Sequence, residues 1–263
     1  MDTSNPLPAG SARSHSPLVR TVPGLLVSVR SLAEAGAVAH LGIEVLDLKE
    51  PQHGPLAPAA IELWEQIADR YATTVSLSAA LGEFEQALEL AAHVPQSFAF
   101  AKAGPSNCGT CSELIQAWTR LRERLPCKVA LVAVAYADHR AAGCPQPLQV
   151  FELAGQMGIQ TWLIDTFEKD GRSTLDHMTM QALQAVSTLA RSHAARWVLA
   201  GAIRLMMIPS VRDWGATPDL LGVRGDVCDG PRAGQLSPMK VRNWLTRLQH
   251  EDPPLICLTG ELH

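Results

Sequence analysis

Charge is scarce in this chain of 263 residues: only 18% are Asp, Glu, Lys or Arg, and the formal net charge is −4. With 47% apolar residues beside so little charge, the composition excludes disorder and argues against nucleic-acid binding through a basic surface. Long hydrophobic runs are missing as well, and none comes near the roughly 18 residues a membrane span needs. The opening MDTSNPLPAGSARSHSPLVRTVPG has no apolar stretch between its charges. It reads as a flexible leader, neither signal peptide nor anchor, and a cytoplasmic protein with no membrane partner is expected. Cysteine is sparse: Cys108, Cys111, Cys127, Cys144, Cys228 and Cys257 are few for this length and imply no disulfide framework. The CxxC of Cys108 and Cys111 lacks the second ligand pair of a structural zinc site, so ordinary thiols are the expectation there, with a redox pair as the alternative. The nine histidines include no HxxxH or HExxH. His53 and His139 fall beside mouth loops, as surface groups or proton shuttles. No metal, flavin or nicotinamide is called for. The scarcest charge is lysine: of 22 basic residues, five are Lys (Lys49, Lys102, Lys128, Lys169, Lys240) and the other 17 are Arg. Where positive charge alone is needed this chain uses Arg, so each Lys raises the question of what an amine does there that a guanidinium cannot.

From residue 24 onward, short runs of Val, Leu and Ile alternate with longer segments whose apolar residues recur at helical spacing. Strands are expected at Leu25–Val29, Val45–Leu48, Thr74–Ala79, Phe98–Ala101, Val129–Ala135, Thr161–Ile164, Trp197–Ala200 and Leu220–Val223. The helices that follow them are Ser31–Leu41, Pro58–Tyr71, Glu83–His93, Cys111–Leu125, Pro147–Met157, Thr179–Ala194, Arg204–Trp214 and Pro238–Gln249. Start signals include Pro58 and Pro238 in first turns and Ser112 or Thr179 near N-caps. Eight strand-helix units without a pause predict an α/β fold of one domain, a closed (β/α)₈ TIM barrel over residues 24–250, with a leader at 1–23 and a tail at 251–263. An open doubly wound sheet is the alternative, but no GxGxxG follows the first strand.

In such a barrel the chemistry gathers at the carboxyl ends of the strands. The second strand ends Asp47-Leu48-Lys49-Glu50, with Asp47 and Lys49 on one face; the fourth ends in Lys102; the sixth ends Asp165-Thr166-Phe167-Glu168-Lys169. Three of the five lysines therefore stand at even-numbered strands, where chance would place about one. Any one of them could be a solvated charge paired with a neighbour, Lys49 with Asp47 or Glu50, Lys169 with Asp165 or Asp170. As a set they form a crowd of amines that lower one another's pKa, so that one, neutral, can attack a carbonyl and form a Schiff base. Glycines at the seventh and eighth turns (Gly201-Ala202, then Arg224-Gly225) let backbone N–H groups close on an anion. Asp138, after the fifth strand, is a mouth acid or a cap. Together these features imply a small, phosphorylated carbonyl substrate.

With these residues in place, the sequence resembles the (5-formylfuran-3-yl)methyl phosphate synthase family of methanofuran biosynthesis, also called 4-HFC-P synthase. The resemblance runs from Leu25 to about Leu248 and rests on the order of LLVSVRSLAEA (Leu25 to Ala35), VLDLKEP (Val45 to Pro51) with Gly54, AKAG (Ala101 to Gly104), AYAD (Ala135 to Asp138), LIDTFEKDG (Leu163 to Gly171), LAGAI (Leu199 to Ile203) and GVRG (Gly222 to Gly225) with Cys228. It implies a barrel enzyme, a lyase, that condenses two glyceraldehyde 3-phosphate molecules to a phosphorylated furan aldehyde with loss of water and one phosphate, and without a cofactor. The family's catalytic positions match Asp47, Lys49, Lys102, Asp165 and Lys169. Lys49 would carry the Schiff base, Lys102 and Lys169 would move protons or hold phosphate, and Asp47 and Asp165 would orient the amines. Gly201, Ala202, Arg224 and Gly225 would form one phosphate cup, with the second phosphate near His53 to Leu56 or near Gly104.

The chain departs from the family at Glu50-Pro51-Gln52-His53-Gly54, where a basic residue is lost, at a shortened loop around Ala80 to Glu83, and at Asp229-Gly230-Pro231-Arg232-Ala233-Gly234, which replaces a glycine-rich turn. The other readings are a Schiff-base aldolase of another sugar phosphate and a non-catalytic barrel that binds a phosphorylated ligand. A homo-oligomer is a further expectation, from apolar helix faces.

Overall fold

A computed structural model describes residues 22–249. The leader read at 1–23 lies outside the described residues save for its last two, and the tail at 251–263, with Cys257, lies wholly outside. Eight parallel strands close in sequence order: β1 (Gly24–Val29), β2 (Val45–Leu48), β3 (Ser76–Glu83), β4 (Phe100–Gly104), β5 (Ala130–Tyr136), β6 (Thr161–Asp165), β7 (Arg196–Leu199) and β8 (Leu220–Val223), with β8 pairing back onto β1. The ring is the expected (β/α)₈ barrel. Around it lie α1 (Leu32–Val38), α2 (Ile61–Tyr71), α3 (Phe84–Leu90), α4 (Cys111–Arg124), α5 (His139–Ala142), α6 (Pro147–Gln156), α7 (Thr174–His177), α8 (Met180–Ser192), α9 (Ile208–Asp213) and α10 (Pro238–Gln249). No helix among the described residues is long and apolar enough to cross a membrane.

Strand periodicity sorts the side chains into two layers. Leu25, Val27 and Val29 of β1, Leu46 and Leu48 of β2, and Trp162 and Ile164 of β6 face outward into the layer between strands and helices, where Trp64, Trp118, Trp197 and Trp244 are also buried. Leu26, Val45, Val132, Leu163, Val198 and Leu220 face the barrel axis and form its floor. The floor stops short of the carboxyl ends, because from Ser28, Asp47, Lys102 and Asp165 onward the inward residues are polar and buried. The apolar layers therefore leave a polar mouth enclosed by rigid strands.

Boundaries shift where tertiary contacts intervene. The third strand runs on to Glu83, not Ala79: its pairing with β4 shifts register between Ala80 and Glu83, Gly82 takes φ +87°, and the Gly82 N–H donates to Leu56 O at 2.8 Å. At α4 the cap is Thr110, not Ser112, in a reciprocal capping box with Glu113. Thr179 caps α8 as expected, whereas Pro58 precedes α2 by three positions instead of opening it. The segment read as one helix over 204–214 is a 3₁₀ turn, Leu205–Met207, followed by the short α9. The short helices α5 and α7 have too few turns to show a period in sequence.

Candidate active site

Asp47 and Lys49 both point to the barrel axis from the end of β2, the first fully buried and the second 8% exposed. Ser28, opposite Asp47 on β1, donates its hydroxyl to Asp47 Oδ2 at 2.9 Å. Lys102 of β4 reaches across β3 to donate to Asp47 Oδ1, with Ser78 Oγ of β3 3.5 Å from its Nζ. Asp165, at the end of β6, organises the other half: Lys169 Nζ donates to its Oδ1 at 2.9 Å, and Lys49 Nζ stands 3.9 Å from its Oδ2. Lys169 also donates to Thr166 O and, at 3.2 Å, to Thr166 Oγ1. The five residues read from sequence thus converge.

Their pairing differs from the neighbour-by-neighbour expectation. Asp165 takes Lys169 as foreseen, but Asp47 takes Lys102, while Lys49 turns across the barrel to Asp165. Residues two apart on a strand stand roughly 6.7 Å apart along it, whereas inward side chains of alternate strands meet in one layer. Glu50 pairs with Arg30 and Asp170 with Arg172, outside the cluster.

Three amines share two carboxylates, which leaves one excess positive charge when all are ionised. Burial drives the Lys49 amine down to about 8, against the attraction of Asp165 and Asp47 and with the help of the neighbouring lysines. For Asp165, burial works upward but Lys169 and Lys49 prevail and hold the carboxyl at about 2. Asp47 is lowered in the same way, burial being outweighed by Lys102 and Lys49. Lys49 is therefore an amine half-deprotonated at about pH 8, far below an ordinary lysine, beside carboxylates that remain charged.

Gly201 and Ala202 follow β7 in consecutive left-handed conformations, φ +83° and +51°, and line the same pocket. Among the described residues no protein acceptor takes the N–H of Ala202 or Ile203, so an oxyanion can. A Cβ on Gly201 would stand 2.3 Å from Thr174 Oγ1 and 2.9 Å from the Thr166 N–H. Gly201→Ala is accordingly expected to lower stability by about 1–3 kcal/mol and to raise KM more than it lowers kcat. Thermal melts and steady-state kinetics on the variant check this.

Arg224 and Gly225 both line the pocket, but the Arg224 guanidinium has its donors taken by protein. That group is engaged on every side, by both oxygens of Glu34 and by the carbonyls of Ser28, Arg232 and Gly234. It ties the β8 loop to β1 and α1. A second cation of this loop that lines the pocket is Arg232, which sequence reading passed over. The available signal was an arginine within a Gly- and Pro-rich segment at the mouth. Ser28 and Ser78 were also missed, although a polar residue at an inward position of an apolar strand marks them. Asp138 is neither a mouth acid nor a side-chain cap of α5; it accepts the N–H groups of Phe167 and Glu168 at 2.7 and 2.8 Å and so fixes the loop that carries Lys169. His53 and His139 do not line the pocket. Cys108 and Cys111 are free thiols flanking the α4 cap, and burial, then Glu113, pushes Cys108 up to about 11.

The pocket is a small cavity of about 100 Å³ that opens at the mouth, below the ~300–1,000 Å³ of sites for drug-sized ligands. A fold of this size does not need buried amines at its mouth for stability, since buried ion pairs are weak contributors. Fold and mouth together define a (β/α)₈-barrel enzyme with an amine-lined site. Residues 25–245 match the model of the 4-HFC-P synthase family, and the chain belongs to that family. It is 27% identical over 234 residues to a (5-formylfuran-3-yl)methyl phosphate synthase of Methanosarcina mazei, covering 86% of this chain and 99% of that protein. A synthase of the same name from Archaeoglobus fulgidus is 28% identical over 223 residues, covering 81% and 93%. Among solved structures, the fold is shared with KGPDC from Streptococcus mutans (TM-score 0.58, 14% identity, 86% of this chain and 97% of that one). Phosphoribosyl anthranilate isomerase from Thermus thermophilus shares it too (TM-score 0.55, 16% identity, 86% and 98%).

Proposed function

We propose that this protein is a (5-formylfuran-3-yl)methyl phosphate synthase, a lyase that joins two glyceraldehyde 3-phosphate molecules and releases inorganic phosphate and two waters, in the making of a methanofuran-type C1 carrier. The observation that carries this reading is the Lys49 amine, buried, lowered to about 8 and placed beside Asp165. In its neutral form it attacks the aldehyde carbon of one triose phosphate; loss of water gives a protonated imine. That imine acidifies the adjacent C–H. Removal of the proton by a neighbouring amine or carboxylate, followed by expulsion of the β-phosphate, leaves an enol whose terminal carbon is a nucleophile.

This carbon adds to the C2 carbonyl of a second triose phosphate that proton transfer has converted to its ketone form; the terminal hydroxyl then closes the ring, two waters are lost, and hydrolysis of the imine releases Lys49 and the furan aldehyde. Each proton transfer needs a group beside the reacting carbon chain. Lys102 on Asp47 and Lys169 on Asp165 are the candidates, each held by a carboxylate that steadies its ammonium form. The N–H groups of Ala202 and Ile203 suit the phosphate that is kept. The test is incubation with glyceraldehyde 3-phosphate: furan absorbance and free phosphate should rise in equal amounts. A folded protein that yields neither overturns the reading, and borohydride trapping on Lys49 without furan favours a Schiff-base aldolase.

A further inference from the structure

Two phosphorylated molecules need two anion sites, and the turn after β7 supplies one. We propose that Arg232 is the cation of a second phosphate subsite, on the β1–β2 side of the mouth, which takes the phosphate monoester of the substrate molecule held at Lys49. This inference rests on the proposed function for the identity of its ligand, but the site itself rests on geometry.

Arg232 is half-buried and lines the pocket, yet the only hydrogen bond its guanidinium makes to protein among the described residues is a long one, Nη2 to Gly54 O at 3.3 Å. No carboxylate lies within ion-pair distance of it there. The contrast with Arg224 is direct, since Arg224 has Glu34 and three carbonyls. A guanidinium that is partly desolvated and still has most of its donors free is costly without an anion. Burial in fact pulls Arg232 below the usual arginine range, against the attraction of Asp165 and with the repulsion of Arg224.

The base of this side chain is nevertheless fixed. Arg224 donates from Nε to Arg232 O and from Nη2 to Gly234 O, each at 3.0 Å, and Arg30 donates to Ala233 O at 2.8 Å. A rigid backbone carrying a side-chain tip with free donors is the arrangement a binding site requires. Its direction is informative too. Arg232 rises from the β8 loop and leans on Gly54, while Lys49 Nζ faces the next carbonyl, Pro55 O, at 3.4 Å. Both cations address one segment, so a phosphate at Arg232 brings its own carbon chain toward the Lys49 amine. The turn at Gly201 and Ala202 belongs to β7, on another part of the ring. Gly104, the other place considered for a second phosphate, is closed by the Glu83 carboxylate and the Tyr136 hydroxyl, which meet each other at 2.7 Å beside it and would repel a phosphate.

The test compares wild type with Arg232→Ala and Arg232→Gln by calorimetric titration with inorganic phosphate and by KM for glyceraldehyde 3-phosphate. Loss of a charge-assisted contact should weaken phosphate binding and raise KM by about tenfold to a hundredfold in both variants, with melting temperatures near that of wild type. Arg232→Lys should recover part of the affinity, because it keeps the charge and loses the planar fork. Phosphate affinity and KM within about twofold of wild type in Arg232→Ala overturn the subsite, and so does an equal loss of response to unphosphorylated glyceraldehyde. The phosphate titration needs no turnover, so a wild-type protein that forms no furan would overturn the proposed function and leave the subsite standing. Furan formation unchanged by Arg232→Ala would do the reverse.

Discussion

Lys49→Arg is expected to leave the barrel folded and its charge in place while reducing turnover by on the order of 10⁴-fold or more, as the loss of a covalent nucleophile does. Mass spectrometry after borohydride reduction with glyceraldehyde 3-phosphate should find the adduct on the Lys49 peptide of wild type and none in the variant. Lys102→Arg should still be trapped, because Lys102 is bound to Asp47 and buried beneath the cluster. An adduct on Lys102 or Lys169 in place of Lys49 would refute the assignment. The pH dependence follows from the same amine. With a value of about 8, the neutral fraction rises steeply between about pH 7 and 9, so the rate of imine formation should climb through that interval and then level. The stability linkage has a definite sign. Between about 8 and the usual lysine value of about 10.4 the unfolded chain binds more protons at this residue than the folded one. The penalty for burying the ammonium is therefore full below pH 8 and relieved above it.

The second large effect belongs to Asp165→Asn. This carboxylate pairs with both Lys49 and Lys169 and accepts the Thr166 N–H at 2.8 Å. Asparagine keeps the shape and removes the charge, leaving two ammonium groups without their counter-ion in a largely buried pocket. Breaking one side of a buried pair costs about 3–5 kcal/mol. Urea melts at pH 7 should show a loss of that order, together with activity reduced by at least about 10²-fold, as Lys169 is no longer oriented for proton transfer. The wild-type carboxyl lies at about 2, below its unfolded value of about 3.9, so its contribution is full above about pH 4 and fades as pH falls toward 2. The difference between wild type and Asp165→Asn should accordingly shrink in melts at pH 3 relative to pH 7. A difference that stays constant with pH would show that shape and hydrogen bonding, not charge, make Asp165 important.

Much of this was readable from residue order. Eight apolar runs with helices between them gave the closed ring, and the scarcity of lysine made Lys49, Lys102 and Lys169 conspicuous at the ends of even strands. What failed in detail failed for physical causes. The extension of β3 to Glu83 depends on Leu56 accepting the Gly82 N–H and on Tyr136 and Ser106 donating to the Glu83 carboxylate. None of these partners is near in sequence. Arg224 is tied to protein while Arg232 reaches the pocket, because a glutamate on α1, 190 positions earlier, captures the first and not the second.

The sequence alone determined the number and order of the elements and the chemistry available at the mouth, because both follow from local periodicity and from residue type at strand ends. Tertiary structure alone decided the pairing. Asp47 with Lys102, Lys49 with Asp165, and Arg224 held on every side while Arg232 has one long hydrogen bond are consequences of closing the sheet: closure makes neighbours of side chains on alternate strands, at separations that chain spacing does not encode.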